Sequence, residues 1–222
     1  MRYTPVMPAL QRLDAVFFRS ESGSEPVREW LKSLPKDERK AIGEDIAYVQ
    51  FKWPIGKPRV DHLRGAVWEV RTSLANRIAR TLFAVEGRQM VLLHGFIKKT
   101  QRTPSEDINW QRNASRSGNV AKRNPRTGSR FDDFLKEEGT FEEVQAKALK
   151  RALAEQLEEG MHAAKLTKLD MAKKMATSRS QLDRVLDPSN VSVQLDTLIK
   201  AARALGKEIE IKIKRVPKKE VA

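Results

Sequence analysis

Four cationic residues in the first half of the chain have the types and spacing to bind and act on a phosphodiester. Arg71 and Arg80 fall in two neighbouring extended segments, and Lys98 and Lys99 follow a third. On one sheet face, Arg71 and Arg80 with Lys98 or Lys99 at the rim would form a cationic concavity that suits a phosphate backbone and stabilises charge on a phosphorane-like transition state. We therefore predict Arg71, Arg80, Lys98 and Lys99 as catalytic residues. For any one of them, the alternative is an ordinary solvated sheet face.

The elements that must position these residues indicate a small α+β domain. Ser24 is a candidate N-cap ahead of an early proline and an apolar helical stripe, and residues 86–88 (EGR) form a natural hairpin turn. The order β-α-α-β-β-β-α predicts a small antiparallel sheet with helices packed on one face. The predicted elements are strands at 15–19, 67–73, 77–85 and 89–97, and helices at 24–34, at 36–51 and from Thr103 onward.

The stretch LRGAVWEVRTSLANRIARTLFAVEGRQMVLLHGFIKKTQRTPSEDI carries a family resemblance. It resembles HigB-type toxins of the phage-derived, Gp49-like branch of the RelE/ParE superfamily, and the likeness extends over about residues 12–110. Its most specific parts are the WEVR strand, Arg80 in the next strand and the tail HGFIKKTQRTP. The resemblance implies a ribosome-dependent mRNA endonuclease, in which a ribose 2′-OH attacks the adjacent phosphate. The ParE branch instead poisons DNA gyrase, which stays an alternative.

For such a nuclease, the resemblance implies phosphate binding by Arg71 and Arg80 and proton transfer or phosphate contact by Lys98 or Lys99. Arg64 and Arg102 are further candidates for RNA binding. A lysine acts as a base only where burial or cationic neighbours lower its pKa. His94 is an alternative acid or base, but its alternation with strand residues on either side favours a structural role. No cofactor is implied.

The second half indicates a separate helical domain behind a basic junction. Residues 114–130 hold five basic and no acidic side chains with two glycines and a proline, which predicts a flexible linker. Thr167 and Ser178 each begin a capping-box pattern, and the two short helices that follow predict a helix-turn-helix. We therefore predict an all-α helix-turn-helix domain with a C-terminal strand at residues 208–214. The predicted parts of the chain are 1–113, the linker 114–130 and 131–222.

The start of the second short helix provides the candidate DNA contacts, because this part of a helix-turn-helix enters the major groove. Arginine can read guanine and glutamine can read adenine in a bidentate manner, although helix-turn-helix geometry also packs many proteins that bind no DNA. Residues 121–215 resemble HigA-type antitoxins of the XRE family, most specifically in MAKKMATSRSQLDRVLD. This resemblance implies toxin neutralisation and operon repression as a dimer. The candidate DNA-binding residues are Ser178, Arg179, Ser180, Gln181 and Arg184.

Composition is compatible with this interpretation. The 222 residues carry a net charge of +14, which favours polyanionic partners, and the absence of cysteine excludes a disulfide framework. The three histidines lack metal-ligand spacing, so no metal site is predicted, and no apolar run could span a bilayer, so we expect a cytoplasmic protein.

The leading hypothesis is a toxin–antitoxin module in one chain. Its expected partners are mRNA on the ribosome for the toxin half, operator DNA for the antitoxin half, each half for the other, and a second copy through the antitoxin half. The alternative is a non-enzymatic DNA-binding regulator with a degenerate toxin domain.

Overall fold

The structure is a computed structural model that describes residues 12–98 and 127–210. Several features predicted from the sequence lie outside these residues, namely Lys99, Arg102, the helix from Thr103, linker residues 114–126 and residues 211–214 of the C-terminal strand. The chain divides into two compact units, one running to Ala152 and the other beginning at Leu153. Within the described ranges, no helix is long and apolar enough to cross a bilayer.

The first unit is built on a mixed sheet of strand order β2-β3-β4-β5-β1-β6. Neighbouring strands run antiparallel except β1 and β5, which are parallel. The α+β prediction is confirmed, but the wholly antiparallel sheet is wrong: the helical connection after β1 lets that strand join the far edge of β5, where the two run in the same direction. The strands are β1 Asp14–Phe18, β2 Val60–Arg64, β3 Val67–Ser73, β4 Ile78–Glu86, β5 Gln89–Lys98 and β6 Thr127–Arg130.

Helices α1 (Pro26–Ser33) and α2 (Lys36–Lys52) cover one face of this sheet. The core they form with the strands is apolar and includes a set of fully buried side chains. The predicted cap of α1 is wrong, because Glu25 is the N-cap residue and the Ser24 hydroxyl contacts Ser20 Oγ at 2.7 Å instead. The buried side chains on this face include Val27, Leu31, Ile42, Ile46, Val70, Phe83 and Leu92.

The opposite sheet face also carries buried apolar residues. Leu82 and Phe83 are both fully buried, although adjacent strand residues point to opposite faces. Leu82 belongs to this second cluster and Phe83 to the helix-covered core. Burial on both faces explains why residues 82–85 of β4 (LFAV) are a continuous apolar run rather than an alternating one. The second cluster consists of Val16, Val67, Leu82, Ala84, Val91 and Leu93.

Residues 127–152, called here the docking segment, belong to the first unit. They comprise β6, helix α3 (Phe131–Glu137) and the first part of helix α4 (Phe141–Ala163). β6 extends the sheet by pairing antiparallel with β1, so the last four residues of the predicted linker form a strand. The division between compact units thus lies inside α4 and differs from the predicted boundary at 114–130. The cause is the apolar stripe of the docking segment, which joins the α1–α2 core through Phe131, Phe134, Leu135, Val144, Ala148 and Ala152.

The second unit contains the end of α4 and three short helices. Thr167 Oγ1 accepts a bond from Asp170 N, and the Asp170 side chain accepts from Thr167 N, which is the predicted capping box. Ser178 Oγ accepts from Gln181 N at 3.1 Å and caps the next helix. Residues 208–210 are in no strand, and the rest of the predicted C-terminal strand lies outside the described residues. The helices are α5 Lys168–Lys174, α6 Arg179–Leu186 and α7 Leu195–Ala204.

Candidate functional site

Strand register brings three of the predicted catalytic residues to one sheet face. Arg71 on β3 lies directly opposite Arg80 on β4, and Arg80 lies opposite Phe96 on β5. Lys98 is opposite Ile78, two residues from Arg80, and therefore shares this face. This face is the one opposite α1 and α2, because the residues that alternate with Arg71 and Arg80 pack in the helix-covered core. We call this part of the sheet the arginine face.

Both arginines bind a buried carboxylate that is not among the site residues predicted from the sequence. Glu69 is fully buried, and its Oε1 accepts a hydrogen bond from Arg71 Nε at 2.7 Å. Its Oε2 accepts from Arg80 Nη1 at 2.6 Å. Asp61 on β2 accepts a further bond from Arg71 Nη2 at 2.7 Å. The predicted cationic concavity is therefore wrong in its charge balance, since two carboxylates accompany the two guanidinium groups.

The side chains of Arg71 and Arg80 differ in solvent exposure, and this difference limits the role that each can have. The Arg71 side chain is 33 % exposed, whereas that of Arg80 is 9 % exposed. The hydrogen bond that Arg71 donates to Glu69 raises the pKa of Arg71, and the negative charges of Glu69 and Asp61 add to the effect. Arg71 thus stays protonated and can offer charge and donors but no proton transfer. It is the arginine with access to a phosphate.

Three further residues of this half considered from the sequence, Lys98, Arg64 and His94, lie in the described part of the chain. Lys98 is half-buried at the end of β5, and Arg64 is exposed at the end of β2. His94 is opposite Leu82 and stacks on Phe96, with ring centroids 5.8 Å apart. This position is compatible with the structural role favoured by the sequence pattern. Lys99 and Arg102 lie outside the described residues.

A second feature of the first unit is the polar rim around the docking segment. Residues of opposite charge face each other along α1, α2, α3 and α4, and the acidic partners sit mainly on α3 and at the start of α4. Arg151 also lies over the Tyr48 ring, with its Cζ 4.1 Å from the ring centroid. Charge complementarity therefore adds to the apolar contact. The pairs are Arg12–Asp132, Arg28–Glu137, Arg39–Glu138, Lys40–Glu143, Glu44–Lys147 and Asp45–Arg151.

Glu25 links β6 to the rest of the first unit. This buried carboxylate accepts from Ser129 N at 2.7 Å, from Ser129 Oγ at 2.6 Å and from Arg19 Nη2 at 2.9 Å. Burial alone would raise the pKa of Glu25, but the hydrogen bonds from Ser129 and Arg19 outweigh it and hold the pKa below the usual 4.5. Docking of β6 is thereby coupled to the ionised state of Glu25.

We expect Ser129→Ala to lower the unfolding free energy of the first unit by about 1–2 kcal/mol at pH 7, because a bond to a charged acceptor is lost. The stability due to the low pKa of Glu25 is present above pH 4.5 and is lost as pH falls through the folded-state pKa. The variant should therefore lose less stability on acidification than the wild type. Urea unfolding at several pH values measures both effects, with exposed Ser22→Ala as the control. Parallel pH profiles for the two variants would contradict the assignment.

The predicted DNA-binding residues cluster at the start of α6 in the second unit. Ser178 is the N-cap residue and Arg179 the first helical residue, and both are exposed. Ser180 and Arg184 are also exposed, and Gln181 is half-buried. The buried side of α6 is apolar and consists of Leu182, Val185 and Leu186. The helix therefore presents a polar first turn away from its own core.

A family model matches part of the chain. It is that of the phage-derived Gp49-like proteins, and the match covers residues 29–114. Those residues include most of α1, all of α2 and strands β2 to β5, together with Arg71, Arg80 and Lys98. No curated protein matches the chain. Residues 29–114, which carry the arginine face, are thus similar to the phage-derived Gp49-like proteins.

Proposed function

We propose that this chain is a type II toxin–antitoxin module in a single polypeptide. The toxin half cleaves mRNA on the ribosome, and the antitoxin half silences it and represses the operon. The Gp49-like match supports a toxin–antitoxin function for the first half. The observation that carries the single-chain proposal is the docking segment, which adds a strand to β1 and buries an apolar stripe on α1 and α2. Edge-strand addition with side-chain anchors is a common mode of segment recognition.

Cleavage in this proposal is an in-line displacement within the RNA. The ribose 2′-oxygen loses its proton and bonds to phosphorus, and the bond to the 5′-oxygen breaks as that oxygen gains a proton. The products are a 2′,3′-cyclic phosphate and a 5′-OH. Arg71 binds the phosphate oxygens and stabilises their charge, and Lys98 or Lys99 carries a proton. Arg64 and Arg102 contact flanking phosphates.

Silencing acts at a distance from the arginine face. The docking segment occupies the β1 edge and the helix-covered face, whereas Arg71 and Arg80 point to the opposite face. We therefore propose that the antitoxin half adds bulk that excludes the toxin half from the ribosome, rather than filling the site. Covalent linkage at an effective concentration near about 1 mM favours the docked state over release.

DNA binding is assigned to α6, with Arg179, Gln181 and Arg184 reading bases and Ser178 and Ser180 contacting phosphates. Dimerisation through the second unit would place two such helices on two half-sites. An exposed apolar stripe on and before α7, formed by Val191, Leu195 and Ile199, supports a second copy as partner. Replacing Arg179 and Gln181 with alanine should abolish operator footprinting and leave growth unchanged.

The decisive experiment reverses the charges of the docking segment in the full chain. Glu137→Lys, Glu138→Lys and Glu143→Lys would face Arg28, Arg39 and Lys40 with like charge. We expect growth arrest and new mRNA 5′ ends with this triple variant, and loss of both when Arg71→Ala is added. Phe134→Asp is a second route to undocking, and amide hydrogen exchange of β6 verifies release in each case. Release without cleavage would refute the nuclease.

The control restores charge complementarity. Adding Arg28→Glu and Lys40→Glu to the triple variant recreates two of the three pairs with reversed polarity, so growth should recover. Persistent arrest would mean that the substitutions act by another route than undocking.

The compensated charges on the arginine face favour a second candidate, a DNA-binding regulator with a catalytically inactive toxin domain. Operator binding together with undocked variants that cut no RNA would select this candidate. A supercoiling assay on the same undocked variants tests the third class, gyrase inhibition.

A further inference from the structure

We infer that Glu69 is a positioning residue for RNA cleavage: its buried carboxylate fixes the guanidinium group of Arg71 in the orientation that receives a phosphate. This inference rests on the proposed nuclease function and assigns to one residue the geometry of its phosphate site. Glu69 itself touches neither substrate nor reacting atoms. It acts through Arg71.

The register of β3 and β4 brings the two arginines together. Arg71 and Arg80 are directly opposed across the two strands, an arrangement in which like charges repel. Glu69 precedes Arg71 by two residues on the same strand face, and each of its carboxylate oxygens binds one of the two arginines. The shared carboxylate therefore allows two guanidinium groups to lie side by side.

Arg71 and Arg80 have different roles in this arrangement. Arg80 is nearly buried and neutralises the fully buried Glu69, which would otherwise be a costly isolated charge. Arg71 is one-third exposed and is held at two points, Nε by Glu69 and Nη2 by Asp61. Arg80 thus secures Glu69, and Glu69 secures Arg71.

Arg71 has further hydrogen-bond donors that can bind a ligand. A guanidinium group has five N–H donors in a rigid fork. The two bonds to Glu69 and Asp61 set the plane of the fork and use two of those donors. The Nη1 group and the second Nη2 hydrogen remain at the end of the side chain, which is the geometry for bidentate phosphate binding. A lysine at this position would keep the charge but could not hold this orientation.

The test compares Glu69→Gln with Glu38→Gln in the full chain. Glu38 is the matched control because its carboxylate also binds an arginine, Arg77, but in an exposed ion pair. In ¹⁵N NMR spectra, the Arg71 Nε–H should be protected from solvent exchange in the wild type and in Glu38→Gln. We expect Glu69→Gln to remove this protection and to abolish the shift that inorganic phosphate induces in the same signal.

Activity is measured in the undocked triple variant defined above. There Glu69→Gln should slow mRNA cleavage about 100-fold, as expected when a catalytic group is misplaced. Adding Arg71→Ala should reduce the rate no further, because the two residues act as one unit. A folded Glu69→Gln protein with a protected Arg71 Nε–H, or with wild-type cleavage, would overturn the inference.

A second variant keeps the test decisive if Glu69→Gln does not fold. Arg71→Lys preserves the charge and removes the two-point hold, and we expect the same 100-fold loss of cleavage. Retained cleavage in Arg71→Lys would overturn the inference, since orientation would then be unnecessary. Failure of the nuclease proposal looks different: the undocked parent cuts no RNA, while the NMR signal still reports whether Glu69 holds Arg71.

Discussion

Replacing Phe134 with alanine is expected to lower the unfolding free energy of the first unit by about 3–5 kcal/mol. The Phe134 side chain is only 2 % exposed and meets the Phe17 ring edge-on, with centroids 5.6 Å apart. The Phe131 ring lies 6.1 Å from Phe134 and 5.9 Å from Phe17, so the three rings pack against one another. Truncation removes this buried area and leaves a cavity between α3 and β1. Docking should therefore contribute a large share of the stability of the unit.

Tryptophan fluorescence during urea unfolding of the full chain measures this effect selectively, since all four tryptophans lie between residues 30 and 110. Leu149→Ala is the matched control, because this leucine also lies on the docking segment but is 39 % exposed. Its cost should stay within about 0.5 kcal/mol. Equal costs for the two variants would mean that the docking segment contributes little to the fold of the unit.

The surface on which the docking segment packs could not be predicted from the sequence. The apolar spacing of this segment correctly indicates helices, because the helical period is a local property. The pattern does not encode which surface covers the stripe, and the sequence analysis places residues 131–152 in a separate domain. In the structure, Phe131, Phe134 and Val144 belong to the first unit. They complete the core of α1 and α2. β6 escaped prediction for a related reason: a four-residue strand at a sheet edge derives its order from β1 rather than from its own residues.

The sequence predicts which residues lie on the arginine face but not the hydrogen bonds that join them. Alternation along each strand places Glu69 and Arg71 on one side and Arg80 with Leu82 on the corresponding side of β4. The carboxylate bridge additionally requires that Arg71 and Arg80 be opposed, which depends on the register between strands. Register is set by the pairing of distant segments and by the hairpin turn. The available sequence signal was a glutamate two residues before Arg71, on the same face of the predicted strand.

Gly95→Ala is expected to destabilise the first unit by at least about 3 kcal/mol, at the upper end of overpacking effects. Gly95 lies in β5 opposite Thr81, and the Trp30 ring of α1 passes directly over it. A Cβ atom at this position would stand 2.0 Å from Trp30 Cε3 and 2.3 Å from Trp30 Cζ3. Neither the ring nor the strand can yield that much space without shifting α1 from the sheet.

A double-mutant cycle with Trp30→Ala isolates this cause. In the Trp30→Ala background the ring is gone, so Gly95→Ala should cost less by about 1–3 kcal/mol than in the wild type. Equal costs in both backgrounds would contradict the steric explanation and point to the backbone of β5 instead. Trp30 and Gly95 both lie within residues 29–114, the range that matches the Gp49-like family model. The glycine that precedes Phe96 is thus required by helix packing on one sheet face, while Phe96 itself lies beside Arg80 on the other.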